Sequence, residues 1–151
     1  MSWHNGDPRP LTRSALGIRL PPATRRWREK PSVTKAQAQA LAHEWVEAFN
    51  NHDLERILSH YADSVELKSL LVTKLLGDPA GTVRGKPALR SYFAKGLAAA
   101  PDLRFELLDV FAGVSSVAVH LRSSVRGLQL EVMELDTDGR ITRVLVHHRD
   151  P

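Results

Sequence analysis

Apolar residues recur with a helical period in the region that follows residue 33. Thr34 and Gln37 form the Thr-x-x-Gln pattern of a capping box, which predicts the start of a helix. An apolar stripe with i, i+3, i+4 spacing comes next and consists of Ala38, Leu41, Ala42, Trp45, Val46 and Phe49. Asn50 and Asn51 predict the end of this helix, because Asn tolerates the left-handed geometry of a C-cap.

Two further helices follow from the same periodicity. Asn51 or Asp53 can cap a second helix, whose apolar face consists of Leu54, Ile57, Leu58 and Tyr61. Pro87 fits the first turn of a third helix, where its missing N–H costs nothing. The buried face of that helix consists of Leu89, Tyr92, Phe93 and Leu97, and Pro101 ends it.

The remaining pattern has the two-residue period of strands. The strand candidates are Val65–Ser69, Leu103–Leu107, Val117–Arg122, Leu128–Met133 and Ile141–Val146. Residues 77–81 predict a turn-rich loop, and residues 136–139 predict a hairpin turn. The order α-α-β-α-β-β-β-β predicts an α+β fold with a mainly antiparallel sheet.

Charge divides the 151-residue chain into two parts. Residues 1–30 hold seven basic and two acidic residues, whereas residues 31–151 hold 14 basic and 15 acidic residues. The first part also contains Pro8, Pro10, Pro21 and Pro22, which predict a flexible basic extension. A basic arm for an acidic partner or nucleic acid, and a transit peptide, are the alternatives. The folded domain is expected to span residues 31–151.

Composition excludes several kinds of site and predicts where in the cell the protein is found. The chain has no cysteine, which excludes disulfides, Cys-ligated zinc and thiol catalysis. The near-neutral charge of residues 31–151 argues against nucleic acid as a partner of the folded domain. No apolar run approaches the roughly 18 residues of a membrane helix, and no secretory signal is apparent. We therefore expect a cytoplasmic protein without a membrane partner.

The longest informative segment runs from Trp45 to Asp63, with Phe49-Asn50, His52-Asp53-Leu54 and Tyr61-Ala62-Asp63 in order. Together with Arg84-Gly85-Lys86, residues 101–105, 131–136 and 138–141, it resembles the nuclear transport factor 2-like superfamily, and within it the SnoaL-like group. The resemblance implies a cone-shaped fold in which three helices pack on a curved sheet and enclose a small-molecule pocket. It also implies a homodimer, because such sheets usually pack on one another.

The same scaffold hosts isomerases, hydrolases, cyclases and binding proteins, so the resemblance does not select an activity. Ketosteroid isomerases carry an Asp base, followed by Pro, on the first strand. The nearest match here is Ser69-Leu70, or Lys68 if the alignment slips by one residue. Hydroxyl and ammonium groups are poor general bases near neutral pH, which argues against isomerisation through this position.

A pair for acid/base chemistry emerges if Val125-Arg126 is a two-residue turn. His120 would then face Glu131, and Arg122 would face Gln129 on the same side of the sheet. The predicted catalytic residues are therefore His120 and Glu131, the carboxylate orienting and charging the imidazole. The alternative is a solvated or dimer-facing sheet surface with ordinary cross-strand pairs.

The predicted pocket wall consists of Trp45, Phe49, Tyr61, Tyr92, Arg122, Met133 and His147. No metal site is predicted, since the histidines do not share a helix or strand face, and no cofactor is expected. The predicted function is binding, or acid/base isomerisation or cyclisation, of a small hydrophobic molecule. The alternative is a non-catalytic ligand-binding or dimerisation module.

Overall fold

The computed structural model describes residues 32–150, and these contain four helices and six strands. The helices are α1 (Lys35–Asn50), α2 (Leu54–Ser59), α3 (Leu70–Leu76) and α4 (Lys86–Ala99). The strands are β1 (Tyr61–Lys68), β2 (Thr82–Arg84), β3 (Phe105–Ala112), β4 (Ser116–Ser123), β5 (Gly127–Leu135) and β6 (Ile141–His148). The predicted extension, residues 1–30, lies outside the described residues, and the domain boundary after it stays a prediction.

The strands form one sheet in the order β2-β1-β6-β5-β4-β3. All neighbours are antiparallel except β1 and β6, which run parallel. The helices pack on one face of this sheet, which we call the inner face. The predicted α+β class with a mainly antiparallel sheet is confirmed.

Local caps fix the first two helices. The Thr34 hydroxyl accepts a hydrogen bond from the Gln37 backbone N–H, and the Gln37 side chain accepts one from Thr34 N–H, so the predicted capping box is present. Asp53 caps α2 by accepting from the Arg56 backbone N–H at 3.1 Å. The residue with left-handed geometry between the helices is His52 (φ 52°) rather than an asparagine.

The break between α1 and α2 is also tied to the start of β3. Asn50 Nδ2 donates to the Phe105 carbonyl at 2.9 Å, and the Phe105 N–H donates to Asn50 Oδ1 at 2.7 Å. His52 Nε2 lies 3.0 Å from the Leu103 carbonyl oxygen. These contacts explain the unusual backbone at His52, because the turn is held by partners about 50 residues away in the chain.

The sequence prediction missed one helix and one strand. Helix α3 has a short apolar sequence without a distinct polar face, and it starts where Ser69 Oγ accepts from the Leu71 N–H. Strand β2 has three residues, which are too few to show a period. Tyr61 was assigned to the second helix but begins β1, because α2 ends at Ser59.

The predicted register between β4 and β5 is wrong by one residue. Three residues, 124–126, connect Ser123 to its partner Gly127, whose φ of 70° suits a glycine. His120 therefore pairs with Leu130, and Val119 pairs with Glu131. Because side chains alternate across a strand, this shift moves Glu131 to the inner face.

The core lies between the inner face and the helices. Strand β4 contributes Val117, Val119 and Leu121, all fully buried, and α1 contributes Trp45. Within residues 32–150, no helix is both long and apolar enough to span a membrane.

Candidate functional site

A cavity with a volume of about 160 Å³ lies between the inner face of the sheet and helices α1, α3 and α4. Its size is close to that of an apolar protein cavity of roughly 150 Å³ that admits benzene. Apolar side chains form most of its wall, including Leu67, Leu71, Leu75, Leu97, Leu103 and Val146. The enclosed part therefore fits the apolar portion of a small molecule.

Aromatic rings close one side of the cavity. Trp45 and Phe105 are stacked with ring centroids 5.5 Å apart, and Phe49 packs edge-on against Phe93 at 5.3 Å. The Trp45 Nε1–H donates to the Tyr61 hydroxyl at 2.9 Å, which satisfies the indole inside the core. The Asn50 bonds to Phe105 position one ring of this wall.

Glu131 projects into the cavity from the middle of β5 and is 6% exposed. Burial raises the pKa of its carboxyl to about 8, and no cation of the described residues offsets this effect. Burial also raises the pKa of Tyr61 and Tyr92, and the negative charge of Glu131 raises both further. The three groups thus form one electrostatically connected cluster inside the core.

The predicted pocket residues divide into three groups. Trp45, Phe49, Tyr92 and Glu131 line the cavity. Tyr61 and Met133 are fully buried on the inner side, but they do not form part of its wall. The predictions for His120, Arg122 and His147 are corrected, since the observed register places these side chains on the opposite face of the sheet, which we call the outer face.

The proposed pairing of His120 with Glu131 is therefore wrong, because the thickness of the sheet separates the two side chains. His120 instead lies beside Asp109 of β3 and Leu130 of β5. On the inner face, the residues opposite Glu131 are Val119 and Val146. Glu131 is the carboxyl group that lines the cavity, and no imidazole lies directly beside it in the sheet.

Sequence reasoning missed Ser123, Arg126 and His148, which are polar residues of the cavity wall. Gly127 was the available signal, because a glycine after Ser-Val-Arg favours a three-residue hairpin loop over a two-residue turn. The three-residue loop would have placed Gln129 and Glu131 on the same face as Leu121 and His148. Apolar alternation misled the prediction, since Leu130 and Val132 lie on the outer face.

Metal ligation has no candidate within residues 32–150, where no three His, Asp or Glu side chains come together as ligands would. The polar atoms available to a bound molecule are instead the carboxyl of Glu131, the hydroxyls of Tyr92 and Ser69, and the groups of Gln129, Arg126 and His148.

The fold is that of the nuclear transport factor 2-like superfamily, as the match to a SnoaL-like family and to a SnoaL-like structure shows. Within that superfamily the chain belongs to the SnoaL-like domain family, which matches residues 42–148. A SnoaL-like protein of unknown function from Burkholderia thailandensis is 42% identical, with a TM-score of 0.75 over 78% of this chain and 98% of that chain.

More distant structures share the fold. A proposed ketosteroid isomerase from Kribbella flavida is 16% identical, with a TM-score of 0.60 over 77% of this chain and 80% of that chain. A proposed polyketide cyclase from Sinorhizobium meliloti is also 16% identical, with a TM-score of 0.58 over 72% of this chain and 94% of that chain. No protein with a curated description matches the chain.

Proposed function

We propose that this protein binds a small, largely hydrophobic molecule in the inner cavity, and that Glu131 transfers a proton during its isomerisation or cyclisation. The observation that carries the proposal is a carboxyl group buried in an apolar cavity without a neighbouring cation of the described residues. Burying an unpaired carboxyl costs free energy, so a residue in this position works against stability. A requirement for proton transfer accounts for its presence.

The shifted pKa suits this role. A carboxyl with a pKa of about 8 holds its proton for most of the time at neutral pH, yet releases it readily. It can therefore act as an acid towards a carbonyl oxygen or, after deprotonation, as a base towards a carbon-bound proton. Desolvation is the physical cause of both properties.

Tyr92 supplies a second hydrogen-bond donor. Its side chain lines the same cavity, and burial raises its pKa to about 12, which keeps the hydroxyl protonated. A carbonyl oxygen bound by Tyr92 would receive a hydrogen bond from its hydroxyl, while deprotonated Glu131 accepts the proton from the adjacent carbon. The hydrogen bond from Tyr92 stabilises the negative charge that then develops on the oxygen, and Glu131 returns the proton to complete the isomerisation.

Proton exchange in deuterated water tests the proposal without knowledge of the natural substrate. A panel of cyclic ketones and 1,3-diketones is incubated with the protein, and deuterium entry next to the carbonyl is followed by NMR. We expect catalysed exchange with at least one compound. Exchange should fall at least about a hundredfold in Glu131→Gln, because the amide cannot accept the proton.

Two variants locate the effect. Gly96 lies on the cavity wall with open space where a side chain would project, so Gly96→Leu should block the cavity and abolish exchange. Glu134→Gln changes a carboxyl of the same strand on the outer face and should leave exchange unaltered. Equal rates in wild type and Glu131→Gln would refute proton transfer by Glu131. Binding without exchange by any compound would favour the alternative of a non-catalytic binding module.

We also propose self-association through the outer face, which a different observation favours. Leu130 is 37% exposed and Phe111 is 56% exposed there, and Val132 pairs with Leu145 on the same face. Two carboxylates and two guanidinium groups surround these apolar residues: Glu106, Glu134, Arg122 and Arg143. A face with an apolar centre and both signs of charge is complementary to a second copy related by twofold rotation.

Light scattering after gel filtration tests this second proposal. Wild type should elute as a dimer, and Leu130→Lys should shift the mass to that of a monomer, because the new cation would be buried in the contact. Lys95→Ala on α4 serves as the control for a surface change elsewhere. A monomeric wild type at high protein concentration would refute self-association and leave the cavity proposal intact.

A further inference from the structure

The entrance of the cavity differs in character from its interior. The exposed residues of its wall include Ala99, Val125 and Arg126, whereas His148 is partly exposed and Gln129 is buried. Gln129 and His148 are directly paired across β5 and β6. The entrance is thus formed by the β4–β5 hairpin loop and the end of β6.

A second cavity of about 230 Å³ adjoins this entrance. Four residues line both cavities, namely Leu71, Val125, Arg126 and His148. The second cavity adds Lys74 of α3 and Asp150 to the wall. An apolar cavity therefore leads directly into a polar one, and the two share their boundary.

The charge of this polar cavity is predominantly positive. Neither Lys74 nor Arg126 forms an ion pair within 4.0 Å with an acidic side chain of residues 32–150. Asp150, the acidic residue of the wall, is engaged by Arg149 at 3.1 Å. Burial lowers the pKa of His148, and the charges of Arg126, Lys74 and His147 lower it further, as expected where cations gather.

We infer that the cavity accepts an amphipathic anion, with the apolar body inside and a carboxylate or similar anionic group held at the entrance by Arg126 and Lys74. This inference rests on the proposed function, which it extends to a substrate class. The apolar cavity matches the apolar body of such a molecule, and the unpaired cations at the entrance match its anionic end. A guanidinium and an ammonium group on different elements, the hairpin loop and α3, can contact one anion from two sides.

The strand geometry sets a lower bound on the distance between the two ends. Glu131 lies two residues further along β5 than Gln129, the partner of His148, which corresponds to roughly 7 Å. Arg126 precedes Gln129 in the hairpin loop, so the anionic group that it holds should lie more than that distance from the carbon that exchanges its proton. Glu131 does not oppose such an anion at neutral pH, because burial raises its pKa to about 8 and keeps the carboxyl protonated.

A matched pair of fluorescent probes separates the two ends of the site. Anilinonaphthalene sulfonate and the uncharged phenylnaphthylamine share one apolar body and differ by the sulfonate. We expect the folded wild-type protein to bind the sulfonate about tenfold more tightly than the uncharged probe. Arg126→Gln and Lys74→Gln should each weaken sulfonate binding about tenfold and leave the uncharged probe within about twofold.

Two controls assign the signal to this site. Gly96→Leu should remove binding of both probes, because it fills the cavity that holds their shared body. Arg122→Gln removes a cation from the outer face and should change neither affinity. Circular dichroism checks the fold of each variant. Arg126→Gln and Lys74→Gln change residues on separate elements, so either variant alone can test the anion site if the other unfolds.

Every outcome bears on the inference. The wild-type protein could bind both probes with equal affinity, and Arg126→Gln and Lys74→Gln could leave both affinities unchanged. This result would overturn the anion site and leave the cavity proposal standing. Equal weakening by Arg122→Gln would also overturn it, since general charge attraction would then explain the preference. Binding of neither probe would overturn both the anion site and the proposed function of the cavity.

Discussion

The two faces of the sheet treat their acidic residues in opposite ways. On the outer face, Glu106 lies 3.0 Å from Arg122 and Glu134 lies 3.8 Å from Arg143, all in contact with solvent. On the inner face, Glu131 is buried without such a partner among the described residues. The outer pairs are ordinary surface chemistry, which contributes little to stability. The inner carboxyl lowers stability at neutral pH, a cost that the proposed proton transfer would explain.

The largest expected difference between the faces concerns their aromatic residues. Trp45 is 1% exposed, and its indole N–H is the hydrogen-bond partner of the buried Tyr61 hydroxyl. Trp45→Ala should lower the free energy of unfolding by about 5 kcal/mol, because it creates a cavity and leaves a polar group unpaired. Urea unfolding followed by circular dichroism measures this loss.

Phe111→Ala on the outer face is the matched change, since 56% of that side chain is already exposed. It should cost less than about 1 kcal/mol in the monomer. Comparable losses for Trp45→Ala and Phe111→Ala would contradict the assignment of the core to the inner face.

The next largest effect is the pH dependence that Glu131 gives to the free energy of unfolding. The folded protein keeps this proton up to about pH 8, whereas the unfolded chain releases it near the ordinary value of 4.5. The contribution to stability is therefore fully present below pH 4.5 and is lost as the pH rises through 8. The slope across this window should approach about 1.4 kcal/mol per pH unit.

Urea unfolding between pH 5 and pH 9 compares wild type with two amide variants. Glu131→Gln should flatten the slope and stabilise the protein at the alkaline end, because the amide carries no charge to bury. Glu134→Gln, three residues further along β5, should leave the slope unchanged. A slope in Glu131→Gln as steep as that of wild type would show that other groups cause the pH dependence.

Sequence reasoning succeeded where one face of an element is uniformly buried. The stripe from Ala38 to Phe49 predicted α1, and the Thr34 capping box predicted its first residue. A helical stripe repeats over four turns, so a single exception does not shift it. The class of fold followed from several such elements taken in order.

The same reasoning failed at β5, where polar residues lie on the buried face and apolar residues lie on the exposed face. The two-residue turn predicted Glu131 opposite His120, but the structure pairs Glu131 with Val119 and buries it with Gln129 and Met133. A polar cavity wall inside and an apolar surface outside invert the usual alternation, so the hydrophobic pattern gives the wrong register. The length of the hairpin loop, which Gly127 sets, decides the register instead.

A smaller loss of stability should follow when the hydrogen bonds that position the aromatic wall are removed. Asn50 exchanges two hydrogen bonds with the Phe105 backbone, and Phe105 stacks on Trp45. Asn50→Ala should cost about 2 kcal/mol, because it leaves two partly buried backbone groups without partners. Hydrogen exchange should also show a faster amide at Phe105, since the donor loses its acceptor.

Asn51→Ala provides the control, as the neighbouring asparagine is exposed at the end of α1. It should change stability by less than about 0.5 kcal/mol. Unaltered exchange at Phe105 in Asn50→Ala would show that β3 holds this residue without help from the α1–α2 connection.

The smallest expected effect is that of the outer ion pairs. Arg122 and Glu106 face each other across β4 and β3 with more than half of each side chain exposed. A double-mutant cycle with Arg122→Gln and Glu106→Gln should give a coupling below about 1 kcal/mol, and raising the salt concentration should reduce it. A coupling of several kcal/mol that persists in high salt would mean that the pair is shielded from water, as it would be beneath a second copy of the chain. In that case the outer ion pairs would belong to an interface. The two faces would then differ in that Glu131 is buried without a cation, whereas Glu106 is buried together with Arg122.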